Sequence, residues 1–182
     1  MQQPAIFIND AFDRYRAQWP GDTATVDLFK RFLRESPCAF ERSHVAGHFT
    51  GSAWLVSADG ERVLLMHHCK LGRWLQPGGH ADGDVDLARV ALREAQEETG
   101  VISLSVEGDI FDIDRHLIPA HASEPDHWHY DVRYVIRAGV DERFTINPES
   151  HALAWRSVLE VADDTSLDMS LRRMAKKWLI SL

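Results

Sequence analysis

Hairpin-forming strands interleaved with one central helix and closed by a terminal helix predict a mixed α+β fold, not a regular βαβ alternation. Three features of the chain support this. Asp59-Gly60 lies between two β-prone runs and is a strong two-residue hairpin signal. A helical stretch over residues 85–99 meets Gly100 at the position of a C-terminal stop. Two later stretches, 110–117 and 128–136, alternate apolar with titratable residues at the period of a strand.

In chain order, residues 9–36 read as two helical pieces broken at Pro20-Gly21. Phe12, Tyr15 and Trp19 stripe the first piece, and Val26, Phe29, Phe32 and Leu33 the second. We assign residues 1–42 to an N-terminal helical appendage that packs on the main domain or on a second subunit, which leaves room for a homodimer, and residues 43–182 to the main domain. Strands are expected at 46–56 and 63–67, and a Gly- and Pro-punctuated segment at 70–80 leads into the central helix. In the later strands Phe111 and Ile113 oppose Asp112, Asp114 and His116, while Trp128, Tyr130, Val132, Tyr134 and Ile136 oppose His129, Asp131 and Arg133. After Asn147-Pro148, a short strand with Leu153 and Trp155 precedes a helical tail capped by Ser166, in which Leu171, Met174 and Trp178 share a face.

Composition bounds the function. With 182 residues, 45% of them hydrophobic, the chain can bury one substantial core. Its 20 basic and 28 acidic side chains leave a net charge of −8, which argues against a surface devoted to nucleic-acid polymers or anionic membrane. A phosphate-bearing small molecule is still compatible with that charge, because an acidic site can bind one through a divalent cation. Cys38 and Cys69 form no CxxC and no repeated spacing, so we expect neither a disulfide framework nor a thiolate metal site, and we expect a reducing cytoplasm. We see no leader or membrane-spanning run and expect a soluble protein.

The stretch that carries chemistry is Arg93-Glu94-Ala95-Gln96-Glu97-Glu98-Thr99-Gly100-Val101. On a helix Glu94, Glu97 and Glu98 share one face, and like charges so close repel. An exposed face compensated by Arg89 and Arg93 would tolerate them, and so would a divalent cation bound through oxygen ligands.

The flanking residues favour the cation. Gly72-Arg73-Trp74-Leu75-Gln76-Pro77-Gly78-Gly79 precedes the helix, and Gly79 lies fourteen residues before Arg93. Together these segments resemble the Nudix box and its approach, and the resemblance extends from about residue 46 to 155. It implies the family's mixed β-sheet sandwiched between helices and a metal-dependent hydrolase of phosphoanhydrides, acting on a nucleoside diphosphate linked to another moiety or on a nucleoside triphosphate. By the same resemblance Mg²⁺ or Mn²⁺ is the cofactor, held by Glu94, Glu97, Glu98 and the Gly78 carbonyl, with one of the glutamates or a later acid such as Glu149 as general base. Gly79, Arg93 and Gly100 are the structural members of the box. One position departs from the pattern: Val85 stands where the first box glutamate should pair with Arg93; either Asp84 or Asp86 could reach that arginine, and we expect Asp84 to replace the glutamate.

The polar strand faces remain open at this level. His127, His129, Asp131 and Arg133 on one strand, with Asp112, Asp114 and His116 on the other, could form a transition-metal site, line the substrate, or face solvent. His80, next to Gly79, is the histidine we expect at a substrate phosphate, and Arg73, Arg115 and Arg133 offer the fixed donor fork of an anion anchor. Trp74, Trp128 and Trp155 are expected in the core. Two rivals accompany the hydrolase: a catalytically silent nucleotide-binding or regulatory module on the same fold, which predicts a damaged glutamate set, and an isoprenoid diphosphate isomerase, which needs a reactive cysteine where this chain has Gln76-Pro77-Gly78-Gly79.

Overall fold

The computed structural model describes residues 3–120, 125–148 and 150–181. The N-terminal stripe folds as expected into α1 (Gln3–Gln18) and α2 (Thr23–Glu35), joined by a 3₁₀ turn at Pro20–Asp22. Strands β1 (Gly47–Val56), β2 (Arg62–His68), β3 (Trp74–Leu75) and β4 (Gly78–His80) lead to helix α3 (Leu87–Thr99). Strands β5 (Leu104–Ile118), β6 (His127–Ala138) and β7 (Ser150–Ser157) follow, then α4 (Val158–Asp163) and α5 (Met169–Ser181).

The sheet order is β3-β2-β1-β6-β5, with β4 added on β1 and β7 on β2. The strands at Asp59-Gly60 are paired only at Val56 and Val63, because β1 then runs parallel to β6 while β2 runs antiparallel to β7. The sheet is therefore mixed. Strand β4 delivers the Gly78-Gly79 segment against the middle of β1, with Ser52 opposite Gly78 and Gly51 opposite Gly79.

Helices cover both faces. On one side α1, α2 and α3 bury Phe12, Phe29, Phe32, Val90 and Ala91 against Phe49, Tyr130 and Val132 of the sheet. The rings of Phe32 and Tyr130 stack with centroids 3.8 Å apart, and Phe12 and Phe29 meet edge to face at 5.8 Å. Each such side chain contributes about 1.5–3 kcal/mol of burial. The N-terminal helices thus share one core with the sheet. On the other side α4 and α5 pack Val161, Leu171, Met174 and Trp178 against Trp54, Leu65, Phe111 and Val135.

Two local expectations are corrected. Ser166 does not cap the terminal helix: its hydroxyl is hydrogen-bonded to Asp164, and the Asp168 carboxylate accepts from the Ser170 N–H at the true start of α5. The short helix α4 has no counterpart in the sequence reading, since Ser157 at its N-terminus makes no side-chain capping bond.

The polar face shared by β5 and β6 is not exposed either, because α5 lies over part of it. Asp112, Asp131 and Arg133 are buried. Asp112 accepts from Arg133, Arg173 and Lys177, and Lys177 also reaches Tyr15 and Asp22 of the N-terminal segment. This network ties α1 and the 3₁₀ turn to β5, β6 and α5.

Candidate active site

Asp86 begins α3 as its N-cap, accepting a hydrogen bond from the Arg89 N–H, and Gly100 ends it in the left-handed region at φ +68°. Those stops set the helical phase that turns Glu94 and Glu98 toward β4. The Gly78 N–H donates to Oε2 of Glu98 at 2.8 Å, and Glu98 is buried to 7% exposure. Glu94 lies over Gly79, where any β-carbon would come within 2.5 Å of its Cδ and would push the carboxylate aside. Arg93 donates through Nη2 to Glu94 Oε1 at 2.7 Å and to the His80 carbonyl at 3.1 Å, bracing the helix against β4. Glu97 is exposed one turn along. The segment before β7 closes over the end of α3: the Thr145 N–H donates to the Thr99 carbonyl and the Asn147 amide to the Glu97 carbonyl.

A family model for the NUDIX domain matches residues 48–178. The chain belongs to the NUDIX family. Its enzyme class follows from that membership: it is a Nudix-type pyrophosphohydrolase. The fold matches that of solved Nudix proteins. These include a Caenorhabditis elegans Ap4A hydrolase (TM-score 0.56, 14% identity, 73% of this chain and 96% of that one). A MutT protein from Methanosarcina mazei aligns with TM-score 0.57 at 22% identity, over 76% of this chain and 96% of that one. The Escherichia coli dihydroneopterin triphosphate pyrophosphohydrolase aligns with TM-score 0.53 at 15% identity, over 74% and 96%. Comparison with curated proteins yields no match.

Within this Nudix fold several expected roles change. Asp84 does not reach Arg93; its carboxylate takes both Nε and Nη2 of Arg89 at 2.8 and 2.5 Å, an exposed pair at the mouth of the helix. Arg133 is no anion anchor, because its fork is already spent on Asp131, Asp112 and Asp114 inside the protein. Arg73 faces Asp168 at 3.6 Å, and Arg115 lies 3.5 Å over the Trp128 ring. Glu149 lies outside the described residues. His80 follows Gly79 by one residue, so strand alternation turns its ring to the opposite face of β4 from Glu94, toward His48 and His129.

The strands place a row of imidazoles on that opposite face. His80 of β4, His48 of β1, His129 of β6 and His116 of β5 follow one another across the sheet, with ring centroids 4.9, 4.8 and 5.5 Å apart. His127 stacks on His48 at 5.0 Å, and its Nε2 lies 3.3 Å from that of His129. Burial, reinforced by His80 and His127, lowers the His48 pKa to about 4. Burial and the neighbouring His80 and His48 lower that of His129 to about 2. The sequence signalled His129 and His127 by their alternation, but His48 sits in an apolar run and carries no such signal.

Proposed function

We propose that this Nudix enzyme hydrolyses a phosphoanhydride in a nucleoside diphosphate linked to another moiety, or in a nucleoside triphosphate, with Mg²⁺ or Mn²⁺ as cofactor. The observation that carries the reading is the contact of Gly78 with Glu98, joined to the seat of Glu94 on Gly79. It brings a backbone segment and two helix carboxylates into one oxygen-lined corner. Three carboxylates and the Gly78 carbonyl are hard oxygen donors, the chemistry that suits Mg²⁺ and Mn²⁺ and not a softer ion. When bound there, the cation would neutralise charge on the bridging phosphate oxygens and lower the pKa of a water.

The chain's own groups supply position and protons. The Gly78 N–H holds one oxygen of Glu98, and Arg93 donates one bond to Glu94 and a second to the His80 carbonyl of β4, so neither carboxylate is left to wander. In this reading Glu97, exposed on the same helix, accepts a proton from an attacking water, with Glu149 as the rival base; the exposure of Glu97 is what supports its choice. All three box glutamates are intact, which is the opposite of what the silent binding module predicts. The substrate class is tested by product analysis with and without Mg²⁺ across ADP-ribose, nucleotide sugars, dinucleoside polyphosphates and nucleoside triphosphates. Metal-dependent cleavage of one class identifies the substrate, and the absence of turnover on all of them would contradict the proposal.

A further inference from the structure

We propose that His48, His80 and His129 form a second metal centre, separate from the carboxylate corner, for a borderline divalent ion of the Zn²⁺ class. Among the described residues, these three are the one group of metal-ligating side chains whose donor atoms all lie within 4.8 Å of one another. Three different strands deliver them. The β1–β6 register sets His48 directly beside His129, and the β1–β4 register sets His80 beside Thr50, one step along the same face.

An independent observation points to a missing ligand. His48 is only 2% exposed, yet neither its Nδ1 nor its Nε2 has a hydrogen-bond partner. The His44 backbone exerts a minor pull on it without completing a bond to either nitrogen. Buried polar atoms in folded proteins are normally satisfied, and the ring sits within 5 Å of both other imidazoles. A metal–nitrogen bond of about 2.0–2.1 Å at a tetrahedral angle brings donor atoms to about 3.4 Å. Small ring rotations would therefore close the site, and three protein ligands would leave a fourth position for water or His127.

The donor set favours an ion of this class. Imidazole nitrogens offer lone pairs, and such donors suit Zn²⁺, Co²⁺ or Ni²⁺ where carboxylates suit Mg²⁺. The β4 strand would then carry a hard-ion corner on its Gly79 side and a nitrogen site on its His80 side. This inference is independent of the hydrolytic reading, and its readout does not use turnover.

Apo-protein, stripped with a chelator and kept in excess Mg²⁺ to fill any carboxylate site, is titrated with Co²⁺ and followed by visible absorption, with Zn²⁺ displacement as a check. One equivalent of Co²⁺ with the intense bands of low coordination is expected. His80→Ala, on a short half-buried strand, and His129→Ala should each weaken binding at least about 100-fold. Glu98→Gln should leave the bands in place. Circular dichroism confirms the fold of each variant, and His80→Ala carries the test if His129→Ala does not fold. Absence of Co²⁺ binding in the wild type, bands indifferent to His80→Ala, or bands lost in Glu98→Gln would each overturn the proposal.

Discussion

A methyl group at residue 79 would lie 2.5 Å from Cδ of Glu94, with nowhere to go except into the carboxylate that the corner needs. Gly79→Ala should therefore lower metal-dependent turnover by about 10-fold or more, since displacing a catalytic group by an ångström is enough to do so. Initial rates at saturating Mg²⁺ check this, and an unchanged rate would show that the seat of Glu94 is immaterial. Gly79, Arg93 and the three glutamates were legible because box spacing encodes them locally. The partners of Arg93 were not, because they depend on the path of β4: the arginine reaches a backbone carbonyl and its own neighbour Glu94, while Asp84 is taken by Arg89. Asp112 is the residue on which the buried network turns, with no exposed side-chain surface and three cations around it. Asp112→Ala, which strands those cations, should cost about 3–5 kcal/mol in denaturant unfolding.

At the scale of elements, α3 is the best test of how local chemistry positions the site. Asp86 caps it, while Asp84 accepts from the Asp86 N–H at 2.9 Å and pairs with the exposed Arg89 across its mouth. Asp86→Ala should cost about 1 kcal/mol of stability, and Asp84→Ala well under that, by thermal or urea unfolding of both variants. Equal losses would show that the bond from the Asp86 N–H to Asp84 holds the start of the helix as firmly as the cap does. The α3 boundaries were legible within two residues because cap and stop are both sequence-local. The β5 and β6 faces were legible as alternation and illegible as environment. A period of two tells which residues share a face, but what covers that face is decided by α5, whose Arg173 and Lys177 look like solvated charge in the sequence and in fact enter the interior. The histidine row was legible only in part: alternation marked His127, His129 and His116, but His48 and His80 join them only through strand register.

For the whole molecule, the network that joins the N-terminal segment to α5 gives stability a dependence on acid. Burial raises the Asp114 pKa, but the hydrogen bond from His116 and the guanidiniums of Arg133 and Arg173 outweigh it and hold the carboxyl well below its ordinary value. Its contribution is thus complete above the unfolded value of about 3.9 and is lost as pH falls through the lower folded value. The stability gap between wild type and Asp114→Asn should be constant above pH 5 and should close below about pH 4. A gap that closes nearer neutrality would contradict this assignment. The N-terminal helices are built into the same core: Phe12, Phe29 and Phe32 fill it beside Phe49 and Tyr130, and Tyr15 and Asp22 meet Lys177. Their apolar stripes foretold burial without naming the surface that receives them. All of this scaffolding sets one short strand against one helix turn, where the chemistry is assigned. The most direct test is the rate of nucleotide phosphoanhydride cleavage with saturating Mg²⁺ in folded wild type and folded Glu98→Gln. A loss of about 100-fold or more in kcat is predicted, and retention of wild-type turnover in Glu98→Gln would contradict the account.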